Sequence, residues 1–443
     1  MTIQLSDHFT YKKLFRFTLP SVAMMVFSSV YGVVDGFFVS NFVGKTPFAA
    51  VNFIFPFLMI LGTFGFMIGT GGSALVAKTL GEGENEKANS MFSLFVYVTA
   101  VLGAVIGGLG IVFLRPVASL LGAEGQMLAD CVVYGRIILI ALPAFMLQMV
   151  FQSFFVTAEK PQLGLVMTLV AGIGNMVLDA LFMAVFDWGL VGAAAATAAS
   201  QTIGGVVPVI YFSLNRRGVL CLGRTRLDLR ALMKACFNGS SELMSNVSMS
   251  LVSMLYNGQL MKYAGEDGVA AYGVLMYVNM VFIAVFIGYS IGTAPIIGYH
   301  FGAENHGELK NMLKKSAVII AVSSVGMLAL SFALAVPLSK LYVGYDAELF
   351  QLTKRGFYIY SFSFLFAGVA IFGSLFFTAL NNGLISAVIS FMRTLVFQVA
   401  AVLLLPLIWG IDGIWYSIVV AELMAFVLSC FFVLILKNKY HYM

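Results

Sequence analysis

Apolar residues run through this chain in blocks of about twenty to thirty, and the charged residues fall mostly in the short stretches between them. A helical block of that length covers the ~30 Å hydrocarbon core of a bilayer, whereas a barrel strand would show roughly ten residues of strict alternation. The pattern predicts twelve helical spans, near 14–40, 47–77, 90–113, 127–155, 163–186, 190–213, 232–262, 268–300, 311–338, 349–378, 384–408 and 412–436. Several exceed what crossing requires, so tilted or projecting helices are expected. The longest polar interruption, 215–230, divides the chain into an N-lobe (1–213), a linker (214–231) and a C-lobe (232–443).

The two halves repeat each other. Shifted by 221 positions without a gap, Gly44 and Ala49-Ala50 fall on Gly265 and Ala270-Ala271, Gly81 on Gly302, and Pro116 and Leu120 on Pro337 and Leu341. Gly135 then meets Gly356, Thr157-Ala158 meets Thr378-Ala379, and Trp188-Gly189 with Gly192 meets Trp409-Gly410 with Gly413. Single matches mean little in so apolar a chain, but turn residues agreeing at one offset along most of its length mark a duplication. Six spans per half is an even number, so both halves enter the membrane in the same sense. The expected fold is therefore an all-α integral membrane protein, with twelve transmembrane helices in two parallel six-helix lobes. Such lobes are related by an axis along the membrane normal, with a cavity between them and alternating access by rocking.

Composition agrees: 60% of residues are hydrophobic and 10% charged, against about 25% charged in a soluble domain. The formal charge of +5 sits in loops and speaks to topology, not to nucleic acid. Lys12, Lys13, Arg16, Lys78, Lys87, Lys160, Arg216, Arg217, Arg224, Arg226, Arg230, Lys234, Lys310, Lys314, Lys315, Lys437 and Lys439 lie on the side of the N-terminus and the even-numbered loops. The other side holds Lys45, Arg115, Lys262, Lys340, Lys354 and Arg355, so both termini and the linker are expected in the cytoplasm. The N-terminal basic residues precede an apolar run too long for a signal peptide and without an A-x-A-like site, which reads as an uncleaved first span. Cys131, Cys221, Cys236 and Cys430 lack CxxC spacing, and no structural disulfide is expected.

Against this background intramembrane polar residues stand out. Tyr31-Gly-Val-Val-Asp35-Gly-Phe-Phe-Val-Ser40 places a lone carboxylate in the first span, where ionised groups cost several kcal/mol and usually serve ion or substrate movement. In the fifth span Asn175 and Asp179 stand four residues apart on one helical face. Oxygen ligands of this kind suit a hard cation, and an exchangeable carboxylate suits a proton; the alternative is a polar clamp between helices. Tyr134, Arg136, Gln148 and Gln152 in the fourth span and Thr197 in the Ala-rich sixth are further candidates. The duplicates of Asp35 and Asp179 are Tyr256 and Ala400, so the charges are not repeated. The second half instead offers Glu242 among Ser240, Ser241 and Ser245, together with Arg393 and Glu422. Met276-Tyr277 and Met280-Val281-Phe282 suit either a cavity that binds cations through π-faces or ordinary packing.

Other chemistries fit poorly. Gly72-Ser-Ala-Leu-Val-Ala77-Lys78-Thr79 lacks the second glycine of a P-loop and no strand precedes it. Gly65-xxx-Gly69, Gly103-xxx-Gly107 and Gly288-xxx-Gly292 are close-packing motifs. His8, His300, His306 and His441 are scattered, so no nucleophile–base or metal set points to an enzyme. A channel would need polar groups along an axis.

Twelve spans in two parallel halves, Asp35-Gly-Phe-Phe-Val in the first span, Gly81 and Gly302 after matching spans, and Asn175-xxx-Asp179 in the fifth resemble the multidrug and toxic compound extrusion (MATE) family over the whole chain, most closely its DinF/MepA-like branch. The resemblance implies export of organic, often cationic and amphipathic compounds in exchange for H⁺ or Na⁺, from the cell membrane, by a protein with no cofactor that is expected to work as a monomer. It makes Asp35, Asn175, Asp179 and Thr197 the cation-coupling cluster, and the ligand set if the ion is Na⁺, with Tyr134 close by and Pro20 a hinge of the first helix. Glu242 matches a seventh-span acidic position used for cations in another branch, although the tenth span has no acidic partner for it. Gln148, Gln152, Arg393 and Met276 remain candidate substrate contacts. A lipid-linked oligosaccharide flippase shares the two-lobe design, but its cavity should be strongly basic, and here only Arg136 and Arg393 lie within spans.

Overall fold

The computed structural model describes residues 3–215 and 218–443. Arg216 and Arg217, counted above toward the basic side, lie outside the described residues, as do the surroundings of Gly36 and the side chains of Val33, Phe37, Ser40, Asn41 and Lys45. The structure is helical throughout: α1 (Tyr11–Phe38), α2 (Lys45–Gly81), α3 (Asn85–Leu120), α4 (Gly125–Thr157), α5 (Pro161–Asp179) and α6 (Gly189–Leu214) form the first lobe. A short α7 (Leu229–Asn238) leads into α8 (Ser240–Gly302), α9 (His306–Val343), α10 (Ala347–Ser361), α11 (Phe364–Ala379), α12 (Gly383–Phe391), α13 (Phe397–Leu404), α14 (Pro406–Trp409), α15 (Ile411–Ile435) and α16 (Lys437–Tyr440).

Ten helices among the described residues are long and apolar enough to cross a membrane, and α10 with α11, bent by 48°, makes one further span. The 63 residues of α8 would reach ~95 Å at 1.5 Å per residue, about three times the hydrocarbon thickness. Gly265, at φ 61° and ψ −149°, breaks it into two spans; this is a conformation that glycine adopts without the Cβ penalty. With that break the described residues hold twelve candidate spans.

The structure departs from the sequence reading in three places. The predicted seventh span begins at 232, yet α7 is a separate amphipathic helix, capped by the Asp228 side chain and burying Ala231, Ala235 and Asn238 while Arg230 and Lys234 stay exposed. The predicted tenth span is a bent pair, and the eleventh runs as α12, a π-helical turn at Met392–Val396, α13 and α14, which starts at Pro406. Helices also outrun their apolar windows: α3 carries Arg115 and Pro116 within its last turns.

Within the lobes, hydroxyls turn inward on their own helices. Thr18 donates to Leu14 O (2.9 Å), Thr99 to Phe95 O (2.7 Å) and Thr168 to Gly164 O (3.0 Å), which satisfies polar groups where no water competes. One helix forms the centre of each lobe. In the first it is α4, buried on nearly every side from Met146 to Thr157, and its Phe151 stacks on Phe212 at 5.6 Å while Phe92 meets Phe154 at 4.9 Å. Its duplicate is the α10–α11 pair, of which α11 is buried without interruption from Ala370 to Ala379.

The lobes meet at the basic end through contacts that repeat the internal symmetry. A Cβ on Gly81 would lie 1.9 Å from Tyr299 O, and one on Gly302 would lie 1.9 Å from Lys78 O. Since Lys78 and Gly81 are the duplicates of Tyr299 and Gly302 at the 221-residue offset, this contact is reciprocal. Nearby, α1 crosses onto α8, where a Cβ on Gly288 would stand 2.6 Å from Val22 Cα.

Gly81→Val is expected to force these backbones apart at a cost of about 1–3 kcal/mol and to lower the thermal midpoint of the purified protein by a few degrees. Gly326→Val, where a Cβ meets open space, is the matched control and should not lower the midpoint.

Candidate functional site: a buried carboxyl pair

Four helices of the first lobe bring Asp35, Tyr134, Asn175, Asp179 and Thr197 together. Asp35 lies near the end of α1, Asn175 and Asp179 on the last turns of α5, Tyr134 on α4 and Thr197 on α6. Small residues allow the approach: a Cβ on Gly172 would stand 2.5 Å from the Phe27 ring of α1. Ser200 of α6 donates to Ala171 O of α5 at 2.8 Å and fixes their register.

The carboxyl groups of Asp35 and Asp179 face each other within hydrogen-bonding reach. Asp179 is fully buried, and Asn175, at 2% exposure, lies one turn below it. Tyr134, also buried, reaches the Thr197 side chain and lies close to both carboxyls. Both oxygens of Asp179, Oδ1 of Asp35 and Nδ2 of Asn175 are buried without a hydrogen-bond partner among the described residues. Two carboxylates in contact repel, and burying them unpaired is costly. A shared proton removes the repulsion; so does a small cation held by these oxygens with the Asn175 amide and the Thr197 hydroxyl, a donor set that suits Na⁺ better than a soft metal.

A residue that the sequence reading passed over joins the cluster. Tyr31 stands one turn before Asp35 on α1, is half-buried and lies beside that carboxyl; its i,i+4 spacing from Asp35 was the available signal. The helices also widen here, since π-helical turns follow at Val39–Val43 after α1 and at Ala180–Val185 after Asp179, and the two turns touch. Turns of this kind concentrate at functional sites.

The remaining candidates lie elsewhere. Gln148 and Gln152 face Met24, Phe151 and Thr168 around a cavity of about 10 Å³, room for about one water. Met24 is eleven residues before Asp35, ~16 Å along α1, so these amides are not part of the carboxyl cluster. Pro20 is buried inside α1, which runs through it as one helix. In the second lobe, Arg393 sits on the π-helical turn and its Nε donates to Glu422 at 2.8 and 3.1 Å, with 16% and 7% of the two side chains exposed. Glu242 lies near enough to Arg393 to feel its charge. Tyr256, the duplicate of Asp35, donates to Gln398 at 2.7 Å and stacks on Tyr272. Met276 is half-buried at the edge of an apolar core.

A protein-family model, MatE, matches residues 20–181 and again 243–403. Among curated proteins, the multidrug export protein MepA of Staphylococcus haemolyticus is 24% identical over 437 residues, covering 97% of this chain and 94% of its own. MepA of Staphylococcus aureus (strain MRSA252) is 22% identical over the same shares. Among solved structures, an outward-facing multidrug resistance MATE family transporter superposes with a TM-score of 0.91 at 21% identity, over 97% of this chain and 98% of that one. A MOP superfamily transporter from Pyrococcus furiosus, described as having a binding pocket of reverse polarity, gives 0.90 at 20% identity, over 98% and 97%.

Tyr134→Phe and Thr197→Val each remove one partner of the same contact and are expected to cost about 1–3 kcal/mol. In a double-mutant cycle on thermal stability the double variant should lose little more than the worse single one. Simple additivity would show that the two groups do not interact.

Proposed function

The chain belongs to the MatE family, and from that premise we propose that it is a secondary antiporter that exports organic, often cationic and amphipathic compounds in exchange for H⁺ or Na⁺. It is a multi-pass membrane transporter and not an enzyme. The observation that carries the proposal is the contact between Asp35 and Asp179, because one helix, α1, bears Asp35 near one end and packs across onto α8 of the other lobe near the other. A change of charge at the carboxyl pair therefore acts on the same helix that meets the other lobe.

In the proposed cycle, H⁺ or Na⁺ enters from outside and neutralises the pair, drawing α1 and α5 together. The cavity loses its negative charge and a cationic compound leaves. The lobes rock, the ion departs to the cytoplasm, and the recharged carboxylates favour the next cation. Coupling depends on ion and compound preferring different states; tight binding alone moves nothing. Pro20 stands beside Ser21 and Val22, where α1 meets α8, and is the place where α1 bends in this scheme, since proline lacks the N–H that would stiffen the turn. The Lys/Arg bias supports placing the basic end, both termini and the linker in the cytoplasm. An anionic cargo is disfavoured because Arg393 is already paired with Glu422.

Efflux of a fluorescent organic cation from proteoliposomes, with a pH or a Na⁺ gradient imposed separately, tests the reading. One gradient should drive the wild type, and Asp35→Asn should reduce efflux at least tenfold while remaining folded. Ion-driven efflux by Asp35→Asn at the normal rate would overturn the role given to the pair.

A further inference from the structure

Ahead of α1, residues 3–10 form no helix, yet they pack as tightly as the core. Leu5 is 1% and Phe9 0% exposed, and both belong to an apolar cluster that takes in Val156 of the first lobe and Ile296, Leu309 and Met312 of the second. The backbone is held from both sides. From the second lobe, Glu308 Oε1 accepts from Phe9 N at 2.9 Å, Asn311 donates to Phe9 O at 3.1 Å, and Lys315 donates to the same carbonyl. His8 Nδ1 lies 2.7 Å from Glu308 Oε2. From the first lobe, Glu159 in the α4–α5 turn accepts from Leu5 N at 2.7 Å. One strap thus joins the first lobe to α9 of the second.

The linker makes the reverse crossing. Before entering α7 and the second lobe it docks on α3 of the first: Cys221 N donates to Asn89 at 2.7 Å, Gly223 N to Ser93 at 3.0 Å and Thr225 to Ser90 O at 2.8 Å. Ser90 is the duplicate of Asn311 at the 221-residue offset, so the two straps use equivalent faces of α3 and α9. Each leads into the first helix of one lobe while lying on the third spanning helix of the other.

We propose that these segments form a two-strap clasp across the basic end, and that the amino-terminal strap, which is not the segment that covalently links the two lobes, is the half that undocks from Glu308 and Asn311 when the lobes part there. The linker strap is covalently continuous with both lobes and can only slide. The amino-terminal strap holds the closed state through two backbone groups of one residue and two buried apolar anchors, a contact compact enough to break as a unit. The inference rests on the two-lobe rocking proposed above.

The test places spin labels at Glu86→Cys on α3 and Lys310→Cys on α9, both exposed, in an otherwise cysteine-free full-length protein reconstituted in nanodiscs. Phe9→Ala and Glu308→Ala should each raise the fraction of long inter-label distances at least threefold. A strap that merely packs would leave the distances alone. A second arm joins His8→Cys to Glu308→Cys with a short reducible thiol cross-linker: linkage should stop efflux of the organic cation, and reduction should restore it. Unchanged distances in both folded variants would overturn the clasp. Distances that respond while efflux in the linked protein matches the reduced control would overturn undocking as a transport step. Response of the distances in a protein that moves no dye would preserve the clasp and place the failure in the assumed substrate.

Discussion

Two carboxyl groups in contact inside a membrane-embedded lobe set the terms for the rest of the molecule. The charged groups that act on Asp35 and Asp179 are chiefly each other, with Tyr31, Tyr134 and Asn175 nearby and, among the described residues, no cationic side chain to balance them. Such a pair is tolerated only when something brings positive charge to it. The second lobe resolves the same difficulty internally, by joining Arg393 to Glu422. The lobes share an architecture and differ in charge balance, and the proposed coupling rests on that asymmetry.

The ion-binding role given to the pair gains mechanical meaning from α1. One continuous helix carries Asp35 toward one end and, through Ser21 and Val22, lies against Gly288 of α8 toward the other. Stiff helices transmit displacement over such lengths because packed cores shift between discrete arrangements rather than deform. At the basic end the reciprocal approach of Gly81 to Tyr299 and of Gly302 to Lys78 brings backbones together with no side chain between them. Contacts of that kind depend on close fit and little on burial of new apolar area, which suits an interface that must open and close.

Much of the fold was legible because membrane helices obey one overriding rule, internal satisfaction of backbone hydrogen bonds over an apolar length. The duplication was legible because turn residues survive at a fixed offset, and Gly81 with Gly302, picked out by that offset, meet in space. What escaped was set by local detail. The amphipathic α7 merges with the next span in any hydropathy window, and the bend between α10 and α11 has no proline to announce it. Asp35, Asn175 and Asp179 stood out because charge and amides are rare in hydrocarbon, and the resemblance grouped Tyr134 and Thr197 with them. Tyr31 did not stand out, since a tyrosine in a span is ordinary until its neighbour is known. The docking of residues 3–10 was invisible because Leu5 and Phe9 are two apolar residues separated by Ser6, Asp7 and His8, too short a pattern to announce a buried segment.

The central claim is that ion and exported cation compete for the charge of one carboxyl pair. It is tested most directly by counting ions released when a monovalent organic cation binds the purified protein, in weakly buffered solution with a pH electrode and in parallel with radioactive Na⁺. The account predicts close to one proton or one Na⁺ released per cation bound by the wild type, and none by Asp35→Asn or Asp179→Asn. Saturable binding of the cation to the wild type with neither ion released would contradict it.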